Sequence, residues 1–83
     1  MPRWEYAELY YIGSNGLYKL VFYRVSDSPV FDIRRDKTRG DKSDSDARRR
    51  TIAQLGLDGW ELVTSTAIGV GGDENLYFRR PLP

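Results

Sequence analysis

Apolar and polar residues alternate along two stretches near the start of the chain, and a turn signal separates them. Residues 3–12 and 17–26 are rich in the aromatic and β-branched side chains that favour strands. Between them lie Asn15 and Gly16, a pair that tolerates the positive φ angles of a tight hairpin turn. The pattern therefore predicts an amino-terminal β-hairpin.

Both faces of this hairpin are rich in apolar side chains. If Asn15 and Gly16 form a two-residue loop, Ser14 pairs with Leu17, and successive residues alternate between the faces. One face then carries Trp4, Tyr6, Glu8, Tyr10, Ile12, Lys19, Val21, Tyr23 and Val25, and the other carries Glu5, Ala7, Leu9, Tyr11, Leu20, Phe22, Arg24 and Ser26. A half-buried hairpin normally has one apolar and one polar face. A single helix covers only one face, so we expect the second to meet another part of the chain or another subunit.

A charged segment and one helix follow the hairpin. Residues 34–46 contain no large apolar side chain, so they bury too little surface to offset the entropy lost on ordering, and we expect a solvated, mobile loop. A helix is predicted over residues 47–55, with Ser43 or Ser45 as its N-cap and Gly56 as the glycine that ends it.

The remaining apolar stretches complete a sheet. Residues 30–33 favour a short strand extension, and residues 60–68 and 75–80 predict two strands joined by a glycine-rich loop over residues 69–74. The order β-β-α-β-β predicts an α+β fold: a single small domain over residues 1–83, with an antiparallel sheet of two hairpins and one helix on one face.

The composition excludes several kinds of chemistry. The 83 residues include neither cysteine nor histidine, which rules out a disulfide framework, thiolate metal sites and His-dependent catalytic triads. We therefore expect no metal, no cofactor and no enzymatic activity. No stretch approaches the length of a membrane span, and the amino terminus lacks a signal-peptide core, so we expect a cytoplasmic protein with no membrane partner.

The net charge of +1 hides a cationic zone over residues 34–50. Its arginines Arg34, Arg35, Arg48 and Arg50 are candidates for contacting the phosphates of a nucleotide or nucleic acid. The competing interpretation is a solvated surface, because interleaved aspartates neutralise half of the positive charge and repel a polyanion. Both interpretations stay open at this point.

Two further motifs favour structural roles over binding. The glycines of residues 69–72 suit a phosphate-binding loop only if a helix follows them, but a strand follows here, so a hairpin loop is favoured. Asp41, Asp44 and Asp46 lack the spacing of a calcium loop and suit helix capping.

The aromatic residues fall into two groups. Trp4 and Trp60 stand near strand starts and are expected in the core, because each contributes a large apolar area. The tyrosines are compatible either with the edge of the core or with a binding surface; they are Tyr6, Tyr10, Tyr23 and Tyr77.

Four blocks of sequence resemble a known family. They are Trp4-Glu5-Tyr6, Leu55-Gly56, Gly59-Trp60-Glu61-Leu62-Val63 and Tyr77-Phe78-Arg79-Arg80-Pro81-Leu82. The chain is similar over nearly its full length to small bacterial and phage domains of the domain-of-unknown-function family numbered 4177, in which these blocks recur. The resemblance implies a compact β-β-α-β-β unit and brings no established activity or catalytic residues. The charged insertion at residues 34–46 departs from the family pattern.

These observations favour a non-enzymatic binding or assembly module that forms a homo-oligomer through its sheet. Candidate interface residues on one hairpin face are Leu9, Tyr11, Leu20 and Phe22. The alternative is a phosphate-, nucleotide- or nucleic-acid-binding module that uses the cationic zone. The partner and the symmetry of the oligomer are left open.

Overall fold

The computed structural model describes residues 3–12, 17–68 and 73–82, which form a five-stranded antiparallel sheet and one α-helix. The elements in chain order are β1 (Trp4–Ile12), β2 (Leu17–Tyr23), β3 (Val30–Ile33), a 3-10 helix (Lys37–Arg39), α1 (Asp44–Leu57), β4 (Glu61–Ile68) and β5 (Asp73–Pro81). The predicted α+β fold with two hairpins and one helix is confirmed, and the short extension at β3 adds a fifth strand.

The sheet joins the two hairpins through the first and last strands of the chain. The strand order is β3-β2-β1-β5-β4. β1 pairs antiparallel with β5 along almost its full length, from Trp4 opposite Pro81 to Tyr11 opposite Glu74. β1 therefore occupies the centre of the sheet, while β3 and β4 form its two edges.

The register of the first hairpin differs from the prediction by two residues. Ile12 pairs with Leu17, and Tyr6 pairs with Tyr23. Four residues rather than two therefore separate the last paired positions. The predicted Asn15-Gly16 turn lies outside the described residues, as do the glycines of residues 69–72. Because loop length sets hairpin register, the predicted partners were wrong. A shift of two keeps every β1 and β2 residue on its predicted face.

The helix begins three residues earlier than predicted. Ser43 is the N-cap, one of the two candidates, and its hydroxyl accepts a hydrogen bond from the Asp46 amide at 3.3 Å. Asp44 and Asp46 lie in the first turn, where negative charge is favourable at the positive end of the helix dipole.

A Schellman motif ends the helix, and its glycine is Gly59 rather than the predicted Gly56. Gly59 has a φ of 91°, and its amide donates to the Gly56 carbonyl at 3.1 Å. The Trp60 amide donates to the Leu55 carbonyl at 2.9 Å, and both side chains belong to the core. This hydrogen-bond pair with its hydrophobic contact is the usual form of the motif, so Leu-Gly-x-x-Gly-Trp encodes a helix end.

The core lies between α1 and one face of the sheet. Its buried residues are Ala7, Leu9, Leu20, Leu55, Trp60, Leu76 and Phe78, with Phe22, Ile33 and Ile52 packed against them. The predicted core position of Trp60 is confirmed. Trp4 is only half-buried and lies on the opposite face of the sheet, so the same prediction was wrong for Trp4.

Carboxylates rather than apolar contacts set the path of the charged insertion. Asp36 caps the 3-10 helix Lys37–Arg39 by accepting a hydrogen bond from the Thr38 amide at 3.0 Å. Asp41 accepts one from the Asp36 amide at 2.9 Å. Asp44 and Asp46 each accept one from an earlier backbone amide at 2.8 Å. The acidic residues of the insertion therefore satisfy its backbone, but Asp41, Asp44 and Asp46 bind amides that precede α1 and do not cap the helix as the sequence predicted.

The assignment of Gly59 as the helix-ending glycine predicts opposite effects for two alanine substitutions. Gly59→Ala is expected to lower the free energy of unfolding by about 1–2 kcal/mol, because a side chain is strained at a left-handed φ. Gly56→Ala, inside α1 with open space around it, is expected to raise that free energy by about 0.5–1 kcal/mol. Urea denaturation at neutral pH measures both, and effects of the same sign would contradict the assignment.

Candidate functional site

The sheet face opposite α1, here called the open face, is covered by no other element in the described part of the chain. Side chains alternate along each strand, so the residues that share this face follow from the registers. They are Trp4, Tyr6, Glu8, Tyr10 and Ile12 of β1, Leu17, Lys19, Val21 and Tyr23 of β2, Val30 and Asp32 of β3, Glu61, Thr64 and Thr66 of β4, and Asn75, Tyr77 and Arg79 of β5. The sequence was compatible with either the edge of the core or a binding surface for four tyrosines. All four lie on this face: Tyr6, Tyr10, Tyr23 and Tyr77.

A buried carboxylate lies at the centre of the open face. Glu8 is 7% exposed, although no element packs above it. Its Oε1 accepts a hydrogen bond from the Tyr23 hydroxyl at 2.5 Å, and its Oε2 accepts one from the Asn75 side-chain amide. Both donors are neutral, so hydrogen bonds rather than an ion pair satisfy Glu8.

The hydrogen bond to Glu8 perturbs Tyr23. It raises the pKa of Tyr23 from 10.0 to about 12, and burial and the nearby negative charge act in the same direction. Loss of the phenolic proton would remove the donor and place a second negative charge beside Glu8. Tyr23 is therefore a neutral donor at physiological pH, and its ring is held in place by the carboxylate.

The rings around Glu8 leave a large aromatic area in contact with solvent. Tyr6 is 49% exposed, Tyr23 45% and Tyr77 36%. Tyrosine buries its ring while its hydroxyl keeps a polar partner, which suits a surface that is wet in one state and covered in another. The open face is thus an aromatic surface around a polar centre.

The other charges of the open face are paired. Lys19 Nζ lies 3.5 Å from Asp32 Oδ1 on the neighbouring strand. Arg79 Nε donates to Glu61 Oε1 at 2.5 Å. In the described part of this face each cation therefore has a carboxylate partner, so the face carries no positive patch for a polyanion.

Arg79 also anchors one corner of the open face. Its guanidinium lies 4.1 Å from the centre of the Trp4 ring, within the range of a cation–π contact. Trp4, Arg79 and Glu61 come from three strands, so this cluster ties β1, β5 and β4 together.

Arg80 makes the corresponding contacts on the helix side of the sheet. Its guanidinium lies 4.6 Å from the centre of the Trp60 ring and 2.5 Å from Glu5 Oε1. It also donates to the Asp58 carbonyl at the end of α1, at 2.9 Å. Each arginine therefore holds a tryptophan and a glutamate, an arrangement here called an arginine clamp. Arg79 forms one clamp with Trp4 and Glu61 on the open face. Arg80 forms the other with Trp60 and Glu5 on the helix side. These residues have a structural role.

A hollow of about 420 Å³ opens at the end of the sheet beside the Trp4 corner. Its walls are mostly apolar; it is lined by Trp4, Glu5, Tyr6, Tyr23, Arg24, Val25 and Leu82. Tyr6 and Tyr23 line the hollow, so the open face ends in a concave, mostly apolar surface.

The structure places the predicted interface residues on the other face. Leu9 and Leu20 lie in the core beneath α1, so the helix of the same chain already covers them. Phe22 packs at the border of the core, and Tyr11 stacks on Tyr18 with ring centres 4.5 Å apart. The predicted interface residues therefore lie on the face that α1 covers, and the exposed tyrosines, for which the sequence left core edge and binding surface open, lie on the opposite face.

Two of the four candidate phosphate-binding arginines are hydrogen-bonded to carboxylates. Arg48 donates to Glu74 Oε1 from Nε at 2.9 Å and from Nη2 at 2.6 Å. Arg50 Nη2 donates to Asp41 Oδ2 at 2.7 Å, and the Arg50 guanidinium holds the pKa of the buried Asp41 below its ordinary value. These two arginines therefore point toward different parts of the fold.

The other two arginines lie before the 3-10 helix. Arg34 is exposed, and its Nη2 lies 3.9 Å from Asp32. The Arg35 amide donates to Asp44 Oδ1. Arg34, Arg48 and Arg50 thus contact three different carboxylates, and the structure does not bring them together around one anion site.

The described residues also bear on metal binding and on membrane insertion. They contain no cluster of three or more acidic side chains that would hold a metal ion. They also contain no helix with the length and apolar character needed to cross a membrane.

Comparisons with family models, with curated proteins and with solved structures found no match to this chain. The family resemblance of the sequence blocks therefore stays a prediction.

The hydrogen bond between Tyr23 and Glu8 predicts a loss of stability at high pH. The free energy of unfolding is expected to fall between pH 10 and 12, because the unfolded phenol ionises near 10.0 and the folded one near 12. Tyr23→Phe lacks the titrating group, so its stability is expected to fall less over the same interval. Urea denaturation at several pH values measures this, with Tyr6→Phe on the same face as the control. An equal decline in Tyr23→Phe and wild type would contradict the prediction.

Proposed function

We propose that this protein is a non-enzymatic assembly module that binds a second copy of itself through the open face. The observation that carries the proposal is the ring of exposed tyrosines around Glu8, a carboxylate already buried and satisfied within one chain. The main cost of burying a carboxylate is that its charge is left without a partner. Glu8 already has its hydrogen-bond partners, so a second chain can cover it without that cost.

The composition of the open face favours a protein partner. Tyrosine, tryptophan and arginine are enriched at the centres of protein interfaces, and all three occur here in Tyr6, Trp4 and Arg79. The arginine is held by Glu61 and the Trp4 ring, so little side-chain freedom is lost when it is covered.

The size of the open face fits a small dimer interface. With strands about 4.8 Å apart and a rise of about 3.3 Å per residue, five strands present a footprint of roughly 500–600 Å². Two such faces in contact would bury a little over about 1,000 Å², the lower limit for a specific interface. We therefore expect association in the micromolar range.

Charge favours a second copy over a polyanion. The chain has a net charge of +1, so two copies repel each other weakly. Because Lys19 and Arg79 are paired with carboxylates, the described residues of the open face offer no free cation to nucleic acid or to an anionic membrane. The phosphate-binding alternative also has less support, since Arg48 and Arg50 are held by Glu74 and Asp41.

The proposal predicts that the exposed tyrosines drive association. Replacing Tyr6 and Tyr77 together by Ser is expected to weaken the contact about 100-fold, because interface aromatics each contribute on the order of 1–2 kcal/mol. Light scattering after size exclusion, over a concentration series, is expected to give a wild-type mass above 9.6 kDa and a lower mass for the double variant.

The matched control is Leu57→Ser, which removes an exposed apolar side chain at the end of α1, away from the open face. Its mass is expected to equal that of wild type. A wild-type chain that stays at 9.6 kDa at high micromolar concentration would refute self-association. Tight, salt-sensitive binding to heparin that is lost in Arg34→Ala/Arg35→Ala would favour the alternative.

A further inference from the structure

The two edges of the sheet differ in length and in charge. β3 has four residues, includes Asp32, and is bounded by Pro29 and Arg34, so it is short and charged. β4 has eight residues and is paired with β5 on one side only. Short or charged strands are the usual protection of a sheet edge, whereas β4 is long and carries one charged residue, Glu61, at its first position.

The sequence of β4 favours further strand pairing. From residue 62 to residue 68 it contains no charge, no proline and no glycine, and it is rich in β-branched residues. Leu62 and Val63 are each more than half exposed. A bulge at Val63 interrupts the ladder near the start of β4, but residues 64–68 pair with β5 in regular register. Residues 62–68 therefore form an uncharged edge that pairs with no other strand on its outer side in the described part of the chain.

We propose that β4 pairs antiparallel with β4 of a second copy, about a two-fold axis near Ser65, the middle of residues 62–68. An antiparallel pair of identical strands has two-fold symmetry, so one strand supplies both halves of the contact. With Ser65 opposite itself, Thr64 of each chain lies opposite Thr66 of the other, and threonine pairs across strands are favourable. The pairing joins two five-stranded sheets into one of ten strands.

This edge contact is distinct from the proposed contact through the open face. Ser65 pairs with the buried Leu76, so its side chain lies on the α1 side of the sheet. A chain with two different two-fold contacts builds assemblies larger than a dimer. The edge contact alone gives a dimer, and both contacts together give a tetramer or a longer assembly.

A charge exchange at Ser65 tests the edge contact. Ser65→Lys and Ser65→Glu are each expected to weaken it, because two like charges would lie directly opposite at the axis. An equimolar mixture of the two variants is expected to restore the wild-type mass in light scattering, since each Lys then faces a Glu. Ala53→Lys and Ala53→Glu, at an exposed position of α1, are the matched controls and are expected to keep the wild-type mass.

Combining the variants separates the two contacts. Ser65→Lys and the double substitution of Tyr6 and Tyr77 by Ser are each expected to leave a dimer, and all three substitutions together a monomer. If Ser65→Lys has the wild-type mass, or if mixing it with Ser65→Glu restores nothing, the edge contact is refuted while the open-face contact stands. If the tyrosine substitutions change nothing but Ser65→Lys gives a monomer, the open-face contact is refuted and the edge contact stands.

Discussion

One helix lies against a five-stranded sheet, and this imbalance governs the rest of the molecule. α1 covers one face and forms the core there with residues such as Leu9 and Phe78. The opposite face is exposed to water, although the residues that its strands place there are largely apolar. It meets the water with tyrosines, whose rings cover the sheet while their hydroxyls keep polar partners, and with Glu8, which Tyr23 and Asn75 satisfy. The surface proposed for assembly is a consequence of this arrangement.

The residues that carry the family resemblance have identifiable roles in the fold. Gly59 and Trp60 belong to the Schellman motif that turns the chain from α1 into β4. Trp4, Arg79 and Glu61 form a clamp on the open face, and Arg80 forms another with Trp60 and Glu5 on the helix side. Any function particular to this chain is therefore to be sought in what these clamps leave exposed: the tyrosines and the β4 edge.

In the charged insertion, ion pairs and hydrogen bonds change what the excess of arginine and lysine implies about binding. By sequence, residues 34–50 form a cationic zone. In the fold, the buried Asp41 binds Arg50, Glu74 binds Arg48, and other aspartates accept hydrogen bonds from backbone amides. Carboxylates that are used in this way neutralise their cations and fix the path of a segment that has no apolar anchor. The positive charge is thereby distributed over several elements and does not form one site.

The sequence alone determined which segments form strands and helix and which residues share each face of the first hairpin, and it narrowed the N-cap to Ser43 or Ser45, because these depend on local propensity and on the two-residue period of a strand. Tertiary structure decided the rest. The hairpin register depended on the length of a turn, and the side covered by α1 depended on long-range packing against β1 and β5. The two clamps and the Glu8 network exist only because β1 pairs with β5, which joins residues from opposite ends of the chain. No local sequence pattern encodes this pairing, since strands that are far apart in sequence come together only when the whole sheet forms.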